Sequence, residues 1–240
     1  MAIYKKENAL SVEQDELKKQ AAKHAAQAVE SGMVVGLGHG STALFAVQAL
    51  AERLQRKEID NIIGIPCSQF IEAQARKLGI SVSTLEKYPH VDLTIDGADE
   101  VSARLDLIKG GGGALLREKI EAQASAREII IVDDSKMSEF LGEKWVVPVE
   151  VIPFGWRTEF EFLIRLGASV KQRKCEDGAI FQTEQHNMIL DADFGPIHQP
   201  QELAEQLNSR AAIVEHGLFL GLATQVIVAS QEGIRELTRE

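Results

Sequence analysis

Short apolar runs alternate with amphipathic stretches from Leu17 to Val132, and this alternation restricts the fold more than any other feature. Residues 12–31 read as a helix with Leu17, Ala21, Ala25 and Val29 at helical spacing. Apolar strands are expected at 33–37, 61–65, 80–84, 91–95, 105–108 and 128–132. Helical patterns separate several of them: 43–56, carrying Leu44, Val47, Leu50 and Leu54, then 69–78. Strand and helix alternating at this length predict a doubly wound parallel sheet. Ligands bind such sheets at the carboxyl ends of the strands, where Asp96, Lys109 and Asp133-Asp134-Ser135-Lys136 fall in this chain.

The pattern changes near Trp145. Strands at 146–152, 169–173, 187–191 and 212–216 and helices at 155–166 and 200–208 give the order βαββαβ, a ferredoxin-like split βαβ unit. A further apolar run, 224–229, reads as a strand returning to the first sheet. The expected division is therefore a main domain of residues 1–145 plus 219–240, with a small domain of residues 146–218 inserted in it.

Composition sets the limits on function. A length of 240 residues with 45% hydrophobic side chains is ample for a large core. A net charge of −10 argues against a nucleic-acid binder, which needs a basic face. It also requires local cations to capture any phosphorylated substrate. No apolar stretch reaches membrane-span length and residues 1–20 hold no apolar leader core, so no membrane partner is expected. Cys67 and Cys175 have neither metal nor disulfide spacing, as in a reduced, cytoplasmic protein.

Three motifs carry chemistry. Gly36-Leu37-Gly38-His39-Gly40-Ser41-Thr42 joins a strand to a helix start, where free amides attract anions. It is not a dinucleotide fingerprint, because its third glycine comes one position early, and it lacks the Lys-Ser/Thr ending of a Walker loop. A tight turn and an anion site both fit it. Asp96-Gly97-Ala98-Asp99-Glu100 sets two carboxylates close together, either as a split acid–base pair or as a turn cap. A magnesium site on Asp96 and Asp99 is the weaker alternative beside so many lysines.

Lys109-Gly110-Gly111-Gly112-Gly113 is harder to explain as a bare connection. Four glycines cost conformational entropy on folding, and are justified where backbone must approach a ligand closely. The following helix is expected to bury Leu116, Ile120 and Ala124, with Glu118 pointing off that stripe. In isolation Arg117, Glu118 and Lys119 would read as a solvated face, but their place at a helix start entered through a glycine loop favours function. Five of the six histidines (His24, His90, His186, His198 and His216) read as ordinary surface or satisfied residues; His39, inside the first glycine turn, is the exception.

In this order the three motifs resemble the A-type ribose-5-phosphate isomerases. The resemblance spans essentially the whole chain, from Asp15-Glu16-Leu17-Lys18-Lys19 through Asp134-Ser135-Lys136 and 148–153 to Ile189-Leu190-Asp191. It implies a Rossmann-like, mostly parallel main domain with a smaller α+β domain. The implied activity interconverts D-ribose 5-phosphate and D-ribulose 5-phosphate, a step of the non-oxidative pentose phosphate pathway, in a homodimer or homotetramer without metal or organic cofactor. By the same resemblance Glu118 is the proton acceptor and Asp96 and Lys109 belong to substrate loops; the mechanism expected with it has Asp96 assist ring opening and Lys109 stabilise the oxyanion. Gly97, Ala98, Asp99, Gly110, Gly111 and Gly112 complete two substrate loops, while His39, Gly40, Ser41 and Thr42 form a third. Lys18 and Lys136 are its outlying cations. The chain departs from the family at His39, where threonine is expected, and at Cys67, where serine or threonine is usual. The rival readings are a non-catalytic sugar-phosphate sensor and an acyl-transferring or deaminating enzyme of the same fold group.

Overall fold

The computed structural model describes residues 2–239, with side chains from residue 14 onward. In chain order the first elements are α1 (Ala2–Ala26), β1 (Val34–Leu37), α2 (Ser41–Gln55), β2 (Ile63–Pro66), α3 (Gln69–Lys77) and β3 (Leu93–Gly97). The helix α1 starts and stops earlier than the 12–31 expected. The segment expected as a strand at 80–84 makes only a single bridge, Val82 to Gly64. Next come β4 (Glu100–Ser102), β5 (Leu107–Ile108), α4 (Leu115–Ala124), β6 (Glu128–Asp133) and β7 (Met137–Ser138). The remainder is β8 (Val147–Val151), α5 (Trp156–Arg165), β9 (Ser169–Gln172), β10 (Met188–Asp193), α6 (Pro200–Asn208), β11 (Ile213–His216), β12 (Leu218–Phe219), β13 (Gln225–Ser230) and β14 (Gly233–Thr238).

The chain forms two compact units. The first comprises Met1–Gly97, Glu121–Ser135 and Ala223–Glu240. Its six-stranded sheet has the order β14-β13-β6-β3-β1-β2, parallel throughout except where β14 closes the edge against β13. Both faces of β6 are apolar and buried, as a parallel sheet covered on two sides demands. Its main core combines Ala21, Ala22, Ala25 and Ala26 of α1 with Leu37, Leu50, Ile71, Leu93, Ile95, Ile129 and Ile131. The run near 224–229 does return to this sheet, as β13 beside β6.

The second unit comprises Ala98–Ile120 and Lys136–Leu222. Its elements β8, α5, β9, β10, α6 and β11 follow the βαββαβ order and form a sheet of order β11-β8-β10-β9. A further small sheet, β12-β5-β4-β7, lies in the same unit. This sheet changes the expected setting of Lys109. The strand before it belongs to an antiparallel pair with β4, not to the parallel sheet. A two-residue strand reached through a tight turn at Leu105 (φ 60°) pairs with its sequence neighbour more readily than across a crossover. Among the described residues no helix is long and apolar enough to cross a membrane.

Candidate active site

In the first unit the site residues collect where β1 and β3 end. Asp96 is the penultimate residue of β3 and is 1% exposed. Its Oδ1 accepts hydrogen bonds from the backbone amides of His39 at 3.0 Å and Gly97 at 2.7 Å. Only glycine fits at position 38, since a Cβ there would stand 2.1 Å from Oδ1 of Asp96. The glycine turn is thus shaped around this carboxylate. Gly40, with φ 99°, enters α2, which opens at exposed Ser41 and half-buried Thr42. Thr42 borders Gly97, its Cβ 3.5 Å from where a side chain at 97 would begin. His39 Nδ1 lies 2.9 Å from Ser68 Oγ, which also caps α3 by accepting from Ile71 N. The departure at position 39 therefore ties the turn to the start of α3. Lys18 is paired with Asp15 at 3.3 Å.

In the second unit the glycine run builds a constellation around Lys109 and Glu118. Gly110 and Gly113 both have positive φ, 101° and 83°. The Gly113 amide donates to Gly110 O at 3.0 Å, closing a turn that delivers the chain into α4. Gly111 N donates to Asp99 Oδ2 at 2.7 Å, so the second carboxylate of the acidic motif is held by the glycine loop itself. Ala98 is half-buried, Gly112 is exposed, and Lys136 lies over the Trp145 ring at 5.1 Å. Lys109 Nζ donates to Glu118 Oε1 at 2.9 Å, with only 2% and 5% of the two side chains exposed.

The buried face of α4 differs from the stripe of Leu116, Ile120 and Ala124 expected from periodicity. Ile120 is 45% exposed, while Leu115, Glu118, Lys119 and Glu121 are buried. Charged groups tolerate burial when each is met by a partner. Glu118 has Lys109; Lys119 Nζ donates to Glu215 Oε1 at 2.5 Å and to His216 O at 2.6 Å; Glu121 accepts from Leu37 N at 3.2 Å. The solvated-face reading of Lys119 is thereby corrected.

Phe219 lies under both lysines, its ring centre 5.5 Å from Lys109 Nζ and 4.8 Å from Lys119 Nζ. A ring face is attractive to each cation. Burial pulls the Lys119 ammonium below its ordinary value, with Glu215 opposing. Burial likewise raises the Glu150 carboxyl, although Asn187 and Thr183 donate to it.

His216 is 3% exposed, the buried of the two settings expected for it. Its Nδ1 accepts from Leu218 N at 3.3 Å. Burial first, and the Lys119 charge second, lower its pKa to about 3. The unfolded chain therefore binds a proton that the folded chain refuses. The stabilisation is complete above about pH 6.5 and is lost as pH falls toward 3. Between pH 7 and pH 5 this one group is expected to cost about 2 kcal/mol of stability. Urea unfolding at both pH values checks it: His216→Gln should lose less stability than the parent by about that amount, and equal losses would remove His216 from the account.

Among the described residues, no three His, Cys, Asp or Glu side chains converge as a metal-binding group. Arg173, Phe219 and Glu215 had no role in the sequence reading, and Asp191 entered it only as the end of a segment that resembles the family. Arg-Glu-Lys after the glycines was the one local signal pointing toward the buried charge cluster.

The sequence model of the family described as ribose 5-phosphate isomerase A (phosphoriboisomerase A) matches residues 63–233. Ribose-5-phosphate isomerase A of Desulfatibacillum aliphaticivorans is 54% identical over 93% of this chain and 97% of its own length. The Chloroflexus aurantiacus protein of the same name is 52% identical over 92% of each chain. Among solved structures, a D-ribose-5-phosphate isomerase in complex with phospho-erythronic acid superimposes with a TM-score of 0.92 at 37% identity, covering 94% of this chain and 99% of that one. The Plasmodium falciparum ribose 5-phosphate isomerase gives a TM-score of 0.91 at 37% identity, over 94% of this chain and 99% of its own. Family match, close relatives and shared fold over nearly the full length agree: the chain belongs to the ribose 5-phosphate isomerase A family.

Proposed function

We propose that this chain interconverts D-ribose 5-phosphate and D-ribulose 5-phosphate by proton transfer through an enediolate. The buried Lys109–Glu118 pair beside the glycine loop is the observation that carries this reading. Isomerisation needs a base that reaches C1 and C2 of the open sugar and a cation for the developing oxyanion. Glu118 takes the C2 proton and returns it to C1, while the C2 hydroxyl proton passes to O1. Lys109 and the loop amides hold the negative oxygen, usually the larger contribution to rate. Asp96 and Asp99 bind hydroxyls and assist ring opening. Backbone amides at Gly97 and Gly111 orient these two carboxylates in their respective units. Lys18, His39, Gly40, Ser41, Thr42 and Lys136, with the loop positions Ala98, Gly110 and Gly112, take the remaining phosphate and hydroxyl contacts.

The test is direct. The purified protein incubated with ribose 5-phosphate alone should generate ketose, and in heavy water should exchange the C2 hydrogen. Failure to form ketose rejects the activity and returns the sensor reading. Neither rival has a specific observation in its favour. We also read the chain as a cytoplasmic homodimer or homotetramer acting without metal or organic cofactor. Exposed Phe154 and Ile120 supply apolar surface for a second copy to cover, and sedimentation velocity reports the assembly directly.

A further inference from the structure

Four successive glycines give the Lys109–Gly113 loop little order of its own, because nothing in such a backbone restricts φ and ψ. Besides its own turn and Asp99, the loop is held by a residue 63 positions away in sequence. Arg173 follows β9, and its Nη1 donates to Gly110 O at 2.7 Å and to Gly111 O at 3.0 Å. The rest of the guanidinium is occupied by Asp191 of β10: Nε donates to Oδ2 at 3.0 Å and Nη2 to Oδ1. Its Cζ lies over the Phe181 ring, 5.8 Å from the ring centre. That ring in turn abuts Gly113, where a Cβ would stand 2.3 Å from Phe181 Cζ. Loop, arginine, carboxylate and ring all belong to the second unit.

We propose that Arg173 is a positioning residue for the isomerisation. Fixed on Asp191, it clamps the Gly110 and Gly111 carbonyls and so sets the direction in which the glycine loop presents its amides and Asp99. Two carbonyls held by one rigid fork fix two successive peptide planes. The Gly111 amide is then left pointing at Asp99, 2.7 Å from Oδ2. A lysine cannot reproduce this, since its point charge lacks the planar fork that holds a carboxylate and two carbonyls at once. A carboxylate displaced by an ångström loses catalytic geometry out of proportion to any loss of binding.

The proposal rests on the isomerase reading for its effect on rate, and on the loop contacts for its effect on order. Two measurements on the full chain separate these. In steady-state assays with ribose 5-phosphate, Arg173→Lys and Arg173→Met should lower kcat by roughly 10–10²-fold while KM stays within about threefold. Arg173→Lys keeps a cation beside Asp191 and guards against a variant that simply fails to fold. A kcat within twofold of the parent for the folded Lys variant overturns the proposal. So does a loss that merely follows the folded fraction. By amide hydrogen exchange, Arg173→Lys should speed exchange at Gly111 and Gly113 by about tenfold or more, with the α5 and α6 amides unchanged. Unaltered exchange in the loop refutes the clamp whatever the kinetics. A parent that exchanges slowly at Gly111 yet makes no ketose would sink the isomerase reading and leave the clamp standing.

Discussion

Glu118→Gln is expected to lower kcat for ribose 5-phosphate isomerisation by about 10²–10⁴-fold, with KM changed by less than about threefold. The substitution keeps the size of the side chain and an oxygen that can still accept from Lys109 Nζ. What it removes is the ability to accept the C2 proton. The position is 4% exposed, so bulk solvent is a poor substitute for the missing base. Turnover within about threefold of the parent would mean that the base is another residue. Hydrogen exchange at C2 in heavy water should fall in parallel with turnover, since both require the same proton abstraction. A variant that kept the exchange while losing net isomerisation would place Glu118 in a later step.

Lys109→Met should combine a loss of rate with a loss of stability. In the proposed mechanism the developing oxyanion loses a fixed charge with the ammonium, an expected deficit of roughly 10²–10³-fold in kcat. In the folded protein the buried Glu118 carboxylate then loses the Lys109 ammonium that faces it. Breaking one side of such a pair costs about 3–5 kcal/mol. Urea unfolding therefore gives the second readout. Lys109→Met should unfold at markedly lower urea than the parent, and Lys109→Met combined with Glu118→Met should regain much of that stability while remaining inactive. If the single variant is as stable as the parent, the pair does not bear on folding as its burial implies. If the double variant is no more stable than the single, the loss comes from packing and not from the stranded charge.

Much of the fold was legible because its signals are local. Apolar runs at β1, β2, β3, β6 and β13 stand out from flanking amphipathic segments, and the six elements of the βαββαβ stretch follow one another without interruption. The short strands were not. Nothing in Leu107-Ile108 tells whether two residues extend a parallel sheet or turn back on Glu100-Val101-Ser102, and the choice depends on partners brought by the rest of the chain. The edge strand β14 is half polar and carries no run to find.

The site divides in the same way. Asp96, the first glycine turn, Lys109 and Glu118 were visible because glycine and charge are conspicuous where a strand ends or a helix begins. The face of α4 was misjudged because periodicity assumes that burial follows hydrophobicity. In this helix Ile120 is exposed while Glu118, Lys119 and Glu121 are buried, an inversion permitted because Lys109, Glu215 and the Leu37 amide meet them in turn.

The sequence by itself determined where the helices and the longer strands lie, which turns need glycine, and which residue types gather at the strand ends. These follow from propensity, periodicity and the missing side chain of glycine, all properties of a few neighbouring residues. Only the tertiary structure decided which charges meet. Lys119 finds Glu215 across 96 positions, and Arg173 reaches Gly110 across 63. Such pairings depend on strand order and register, and their strength depends on exclusion of water. Neither has a local trace, which is why the loop could be found in the sequence and its clamp could not.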